Sequence, residues 1–353
     1  MRACAPGKII LSGEHSVVYG AQAIAVAINK HTSVSFKPLS ESNTINTLFS
    51  GISSGVHYPL HALGTLKDKL DSRFDSFTQG LLPIQKILNT PDDLLVYTLS
   101  SLVHHLPVPG RVSSQSYLPI PGRLSSTTQL SLGAGMGSSA SAIAATLVLF
   151  EHLLEKPLGI DQRFDMVRFC ERLQHGRGSA IDAAAVTYGG MNHIQNGVVK
   201  RLDVSLGSGW YWIFTGKPQV STGECVHHVR DRYEKDTSLW HAFSEVTATI
   251  VDNLGDLNSP GSPQAMNDAI KENHRLLCRI GVVPASAVAL INSIEAYGGA
   301  AKISGAGAHK GDAGGLVLAY FPEGSIQDLL KNYPGYQWGV VEEDRLGARY
   351  IGD

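Results

Sequence analysis

Between Leu132 and Ser141 the chain reads Leu-Gly-Ala-Gly-Met-Gly-Ser-Ser-Ala-Ser, with glycine at every second position and hydroxyls at the end. Glycine lets backbone amides come close to a ligand, and a helix starting just behind the run adds unpaired N–H groups and a positive dipole end. Gly133, Ala134, Gly135, Met136, Gly137, Ser138 and Ser139 are therefore candidates to cradle phosphate. The run lacks the Gly-Lys-Ser/Thr ending of a Walker A loop and the third glycine of a dinucleotide fingerprint, and a lone glycine turn also serves plain packing. A second cluster opens the chain, where Ala5-Pro6-Gly7-Lys8 leads into an apolar run and then Gly13-Glu14-His15. Lys8 can hold a substrate oxygen or acidify its hydroxyl. Taken singly, it also reads as a solvated lysine, and His15 as a histidine satisfied by backbone. A third cluster, Glu171 to Asp182, places one carboxylate near a helix end and another past a glycine-broken turn. One of the two can hold Mg²⁺, a cation that takes oxygen ligands, while the other accepts or orients a hydroxyl proton. A fourth, Lys302-Ile303-Ser304-Gly305-Ala306-Gly307 running to Gly314-Gly315, is a flexible loop whose amides can face the same ligand or form a simple turn.

These clusters need elements to hold them. Ile9–Leu11, Ile24–Ile28 and the alternating Thr32, Val34 and Phe36 read as strands, and Thr128, Leu130 and Leu132 as a half-buried strand leading into the glycine run. A helix is expected from near Ser138, another over Asp92–His105, and another through Ile160, Phe164, Val167 and Leu173, with Asp161 as N-cap and Gly176 and Gly178 as stops. Residues 38–80 are polar and read as surface loops, and Pro107–Pro121 as turns with a short strand. Beyond a strand at Trp210–Thr215 come helical stretches at Glu224–Lys235, Ser238–Leu254, Pro263–Ile280 and Ala285–Tyr297, then a strand at Gly315–Phe321. The reading is a mixed α and β fold with a break near residue 205.

The whole chain of 353 residues exceeds the usual size of one domain. A net charge of -2 gives no electrostatic reason for a nucleic acid or a membrane surface as partner, so the expected ligand is small. Four scattered cysteines without CxxC pairing suggest neither zinc nor a disulfide framework, and the absence of a signal-peptide pattern points to the cytoplasm.

Taken together and in order, the segments Ala5–Gly20, Leu132–Ser141 and Lys302–Gly315 resemble the three motifs of the GHMP small-molecule kinases. Within that family the pattern Gly-Glu-His followed by Val-Val-Tyr-Gly, at Gly13–Gly20, is most similar to the mevalonate kinases, as is the spacing of Glu171, His175, Ser179 and Asp182. The resemblance implies an α+β, two-domain GHMP kinase fold. Residues 1–205 would be a nucleotide-binding α/β domain like ribosomal protein S5, residues 206–353 a ferredoxin-like α+β domain, and the active site would lie between them. It implies ATP as co-substrate and Mg²⁺ on Ser139 and Glu171. Asp182 would be catalytic base or hydroxyl-orienting group with Lys8 as charge partner, and Glu14, His15, Ser179, Thr222, Gly305 and Ala306 would lie around the substrate. That substrate would be mevalonate, with phosphomevalonate, a sugar, or a ligand-sensing role without catalysis as the alternatives, and a homodimer is left open. Departures from the family pattern are Gly178 and Ala180 around Ser179, Gln219 and Val220 in place of Pro-Arg, and a longer third motif carrying His309, Lys310 and Asp312.

Overall fold

The computed structural model describes residues 1–53, 55–105, 120–254, 262–323 and 326–352. The chain begins with two long strands, β1 (Arg2–Ser12) and β2 (Ala23–Pro38), then β3 (Thr44–Phe49), β4 (His57–Pro59), α1 (Leu63–Thr78), α2 (Asp93–His105) and β5 (Gly122–Thr128). Next come α3 (Ser138–Leu153), α4 (Ile160–His175), α5 (Ala180–Tyr188), β6 (Met191–Gln195) and β7 (Val198–Leu202). The remainder is β8 (Trp210–Phe214), α6 (Thr222–Tyr233), α7 (Thr237–Leu254), α8 (Ser262–Arg279), α9 (Ala285–Ala296), β9 (Ala300–Ser304), β10 (Leu316–Tyr320), α10 (Gln327–Leu330), β11 (Gln337–Val340) and β12 (Arg349–Gly352).

Two sheets organise these elements. In the first, β12, β1, β2, β5, β3 and β4 lie side by side, with β6 and β7 branching from β2; in the second the order is β11-β8-β10-β9. The β1–β2 pair is the wall common to both halves. Ala3, Ala5, Val34 and Phe36 pack into a core with α2, α3 and α4, whereas Ile9, Leu11, Ile24, Val26 and Ile28 pack into the core of the second sheet and its helices. Side chains of one strand face that alternates regularly would all join one core, but the pairing shifts register between Pro6 and Gly7. Such an irregularity re-aims the residues beyond it. Past the shift Ile10 points the other way and meets Ile181 of α5, which fastens that helix beside β1.

Several expectations are corrected. Residues 38–80 are not simply surface loops: they hold β3, β4 and the 16-residue α1, which buries Leu63, Leu70 and Phe74 at helical spacing. The strand before the glycine run ends at Thr128, because Thr128 Oγ1 accepts from Leu130 N and the chain turns there. Asp161 is not the cap of α4; Gly159 occupies that position and Gln162 reaches back to its amide. The expected turns and strand at Pro107–Pro121 lie almost wholly outside the described residues.

Candidate active site

The glycine run forms a loop in which Ala134 and Met136 turn inward and are buried while Gly133 and Gly135 stay exposed. It is pinned to β1 by Lys8 N donating to Met136 O at 2.9 Å. Gly133, Gly135 and Gly137 all have φ between 72° and 82°, a region that costs other residues roughly 1–2 kcal/mol. Gly137 is the N-cap of α3 and supplies no side-chain hydrogen bond to its first turn. The amides at that helix start therefore have no side-chain cap, the arrangement in which an anion can take its place.

Lys8 is buried, so it is not a solvated surface lysine, and its Nζ lies 3.1 Å from Asp182 Oδ1. The pair sits against the end of the glycine loop: a Cβ on Gly137 would be 3.1 Å from Lys8 Cγ and 3.2 Å from Asp182 Oδ1. Asp182 is in the first turn of α5, whose N-cap Ser179 accepts from Asp182 N at 3.2 Å. Ser179 N in turn donates to Glu171 Oε2 at 3.3 Å, and Ser139 Oγ donates to Glu171 Oε1 at 3.2 Å. One chain of contacts thus joins the starts of α3 and α5 to the end of α4. Burial, then the neighbouring Asp182 carboxylate, raise the Glu171 carboxyl to about 8.

His15 occupies a left-handed backbone position, φ 59°, and its Nε2 is 2.9 Å from Ala306 O. A backbone carbonyl only accepts, so Nε2 is the protonated nitrogen. Burial pushes the imidazole down to about 4, which makes it neutral in ordinary buffers and leaves Nδ1 as a buried acceptor with no partner among the described residues. Glu14 is less available than expected for a substrate contact, because one carboxylate oxygen is bound to Lys302 Nζ, an entirely buried pair. Its Oε2 has no partner among the described residues. Lys302 opens the fourth sequence cluster, but its pairing with an acid was not among the expectations. The signal was there: a lysine inside the apolar strand Ala300–Ser304 requires a buried acid.

The third motif closes over the glycine loop. Ser304 Oγ accepts from Ile10 N at 2.9 Å, and a Cβ on Gly135 would lie 3.5 Å from Ser304 O and 3.9 Å from Gly305 Cα. Lys217, missed as a neighbour of the loop, runs its aliphatic chain over Gly133, where a Cβ would meet Lys217 carbons at 3.2 Å. Thr222 opens α6, is exposed, and makes no side-chain hydrogen bond among the described residues, so it is not joined to the others. Of the added third-motif residues, His309 packs on α6, stacked on His228 at 4.2 Å between ring centroids and with its Nδ1 3.7 Å from Cys225 Sγ. Gly178, one of the departures from the family pattern, faces Arg168 O so closely that a Cβ would be 2.0 Å away. Only glycine passes that point.

Among the described residues no group of three or more His, Cys, Asp or Glu forms a metal cage. The donor set of one buried carboxylate and one hydroxyl at Glu171 and Ser139 suits Mg²⁺, which is held by few protein oxygens and completes its shell from phosphate and water. No helix among the described residues is long and apolar enough to cross a membrane.

Residues 110–190 match the family model of the GHMP kinases N terminal domain. A mevalonate kinase of Archaeoglobus fulgidus is 27% identical over 353 residues, covering 99% of this chain and 99% of the relative. One from Pyrococcus abyssi is 28% identical over 329 residues, covering 91% and 88% respectively. A crystal structure of mevalonate kinase superimposes with a TM-score of 0.78 at 18% identity, over 97% of this chain and 99% of the other. The two-sheet α+β architecture described above is therefore the fold of that enzyme class.

Proposed function

We infer, for a chain that carries the N-terminal domain of the GHMP kinases and is similar to mevalonate kinases along nearly its whole length, that it transfers the terminal phosphoryl group of ATP to the 5-hydroxyl of mevalonate. The observation that carries this reading is the Lys8–Asp182 pair seated against Gly137, which puts a carboxylate within reach of whatever the glycine loop holds. Phosphoryl transfer asks little covalent chemistry of a protein; it needs the hydroxyl and the phosphate in line and the charge between them offset. Asp182 Oδ1 orients the hydroxyl and accepts its proton, and Lys8 balances the carboxylate. The loop amides from Gly133 to Ser139 hold the phosphates without solvent rearrangement. Mg²⁺, held by Ser139 and Glu171, would supply positive charge to the phosphate oxygens.

Mevalonate is favoured over a phosphorylated acceptor because relatives that match nearly the whole chain are mevalonate kinases. On the turn after β1, Glu14 Oε2 and His15 Nδ1 are buried acceptors without a partner among the described residues, atoms that a substrate hydroxyl would satisfy. The proposal keeps the division 1–205 and 206–353. In its support, the strands up to Leu202 share one sheet and those from Trp210 to Val340 the other, with only β12 returning. A cytoplasmic homodimer belongs to the same reading, and the free cysteines suit a reducing compartment.

The test is ADP release measured in parallel with mevalonate, phosphomevalonate, galactose and homoserine. Turnover with mevalonate far above the other three is expected. Turnover confined to one of the others would replace the substrate, and nucleotide binding without ADP release from any would replace the reaction.

A further inference from the structure

On the face of α4 next to the one carrying Glu171 lies a cavity of about 390 Å³ lined by Phe74, Asp165, Arg168, Phe169, Arg172 and the turn from Gly176 to Gly178, which includes Arg177. Three arginines therefore line one opening that has a single lining carboxylate. They are not equivalent. Arg172 is already engaged, donating to Asp71 at 2.8 Å and to Tyr97 at 3.1 Å, and is held between Phe74 and Phe169 at 4.4 and 4.0 Å from the ring centroids. Arg168 lies over the Phe164 ring, and neither it nor Arg177 has an acid partner or side-chain hydrogen bond to oxygen among the described residues. Asp165, although it lines the same cavity, pairs with neither of them. Packing on the Phe164 ring holds the guanidinium plane of Arg168, so its donors are set in advance.

We propose that this cavity is an anion site, distinct from the glycine loop, that takes the phosphate groups of a small phosphorylated molecule. Arginine forks suit phosphate oxygens, which accept two parallel hydrogen bonds from one guanidinium. Two unneutralised arginines beside a third supply the charge for a diphosphate, and Phe74 and Phe169 offer apolar contact for what the phosphates are attached to. The site shares its wall with the active site, since Gly178 packs on Arg168 O and Ser179 caps the helix bearing Asp182.

Inorganic pyrophosphate is the probe, titrated calorimetrically into the full chain with saturating ADP and no divalent cation, so that the glycine loop is already filled. One further equivalent should bind, weakening as salt rises. Arg168→Gln and Arg177→Gln should each weaken it roughly tenfold, the scale of one charge-assisted hydrogen bond, with unfolding temperature and ADP affinity unchanged. Ser139→Ala should leave pyrophosphate binding intact. No binding in the presence of ADP, or binding indifferent to both arginine substitutions, would overturn the proposal. The readout is independent of which acceptor is phosphorylated.

Discussion

At the scale of single residues, the site consists of ionisable groups placed where water barely reaches them. Lys8, Glu14, Glu171 and Lys302 are all buried, and each has found an opposite charge or a hydrogen bond. Asp182 is the member with most exposure, 20% of its side chain, which the proposed role of meeting an incoming hydroxyl requires. Asp182→Asn keeps the shape and removes the proton acceptor. Turnover should fall by roughly 10²–10⁴, the usual worth of a positioned general base, while ATP affinity measured by equilibrium binding holds. Near-normal turnover would reduce Asp182 to a structural partner of Lys8. Residue types and spacing already marked Lys8, Ser139, Glu171 and Asp182. They did not reveal that Glu14 is tied to Lys302, because the two are far apart in the chain and meet only when β9 docks on β1.

Among the elements, the start of α3 is the one whose local rules are broken for a purpose. A serine or aspartate cap would satisfy its free amides from within; here Gly137 caps it in a left-handed conformation and leaves them open. Gly137→Ala would strain the backbone and press on both Lys8 and Asp182. Unfolding free energy should drop by about 1–2 kcal/mol, the cost of that conformation with a Cβ. Activity should drop much further than that loss of stability explains, which a comparison of turnover with denaturant unfolding would show. An intact rate in a folded variant would mean that the loop does not set the pair. Helices with strong apolar periodicity and a glycine stop, such as α4, were legible from sequence. The helix α1 was hidden because it buries only three side chains on an otherwise polar surface. Strand β12 was hidden because its four residues carry no alternating pattern of their own.

For the molecule as a whole, closure depends on the last stretch of chain returning to the first sheet. Asp344 is its clasp. Its carboxylate receives His31 Nε2 at 2.6 Å, Arg349 Nη1 at 2.9 Å and the amides of Leu346 and Gly347, while its backbone bonds to Ala27 O and receives Gly190 N. Burial works against its charge, but the hydrogen bonds from His31, Gly347 and Arg349 outweigh it and hold the carboxyl at about 2. A lowered folded value means that the unfolded chain binds the proton first. The stabilisation is complete above the ordinary carboxylate value near 3.8 and is lost as pH falls through about 2. Asp344→Asn should lower stability at neutral pH by about 1–3 kcal/mol, and should flatten the fall between those two values in acid unfolding curves. Curves that stay parallel would deny the clasp its role.

By itself the amino-acid order determined what is local: a glycine run followed by a helix, hydroxyls at its end, carboxylates spaced along α4 and α5, and three motifs in the order of a kinase family. Short-range sterics and helical periodicity suffice for these, since each is settled within a few residues. Only the tertiary structure decided which charges meet. The register shift at Gly7 turns one pair of strands toward two cores, and the packing of β9 and α5 on that pair brings Lys8 to Asp182 and Lys302 to Glu14. Such pairings join residues 174 and 288 positions apart, for which no local pattern carries a signal.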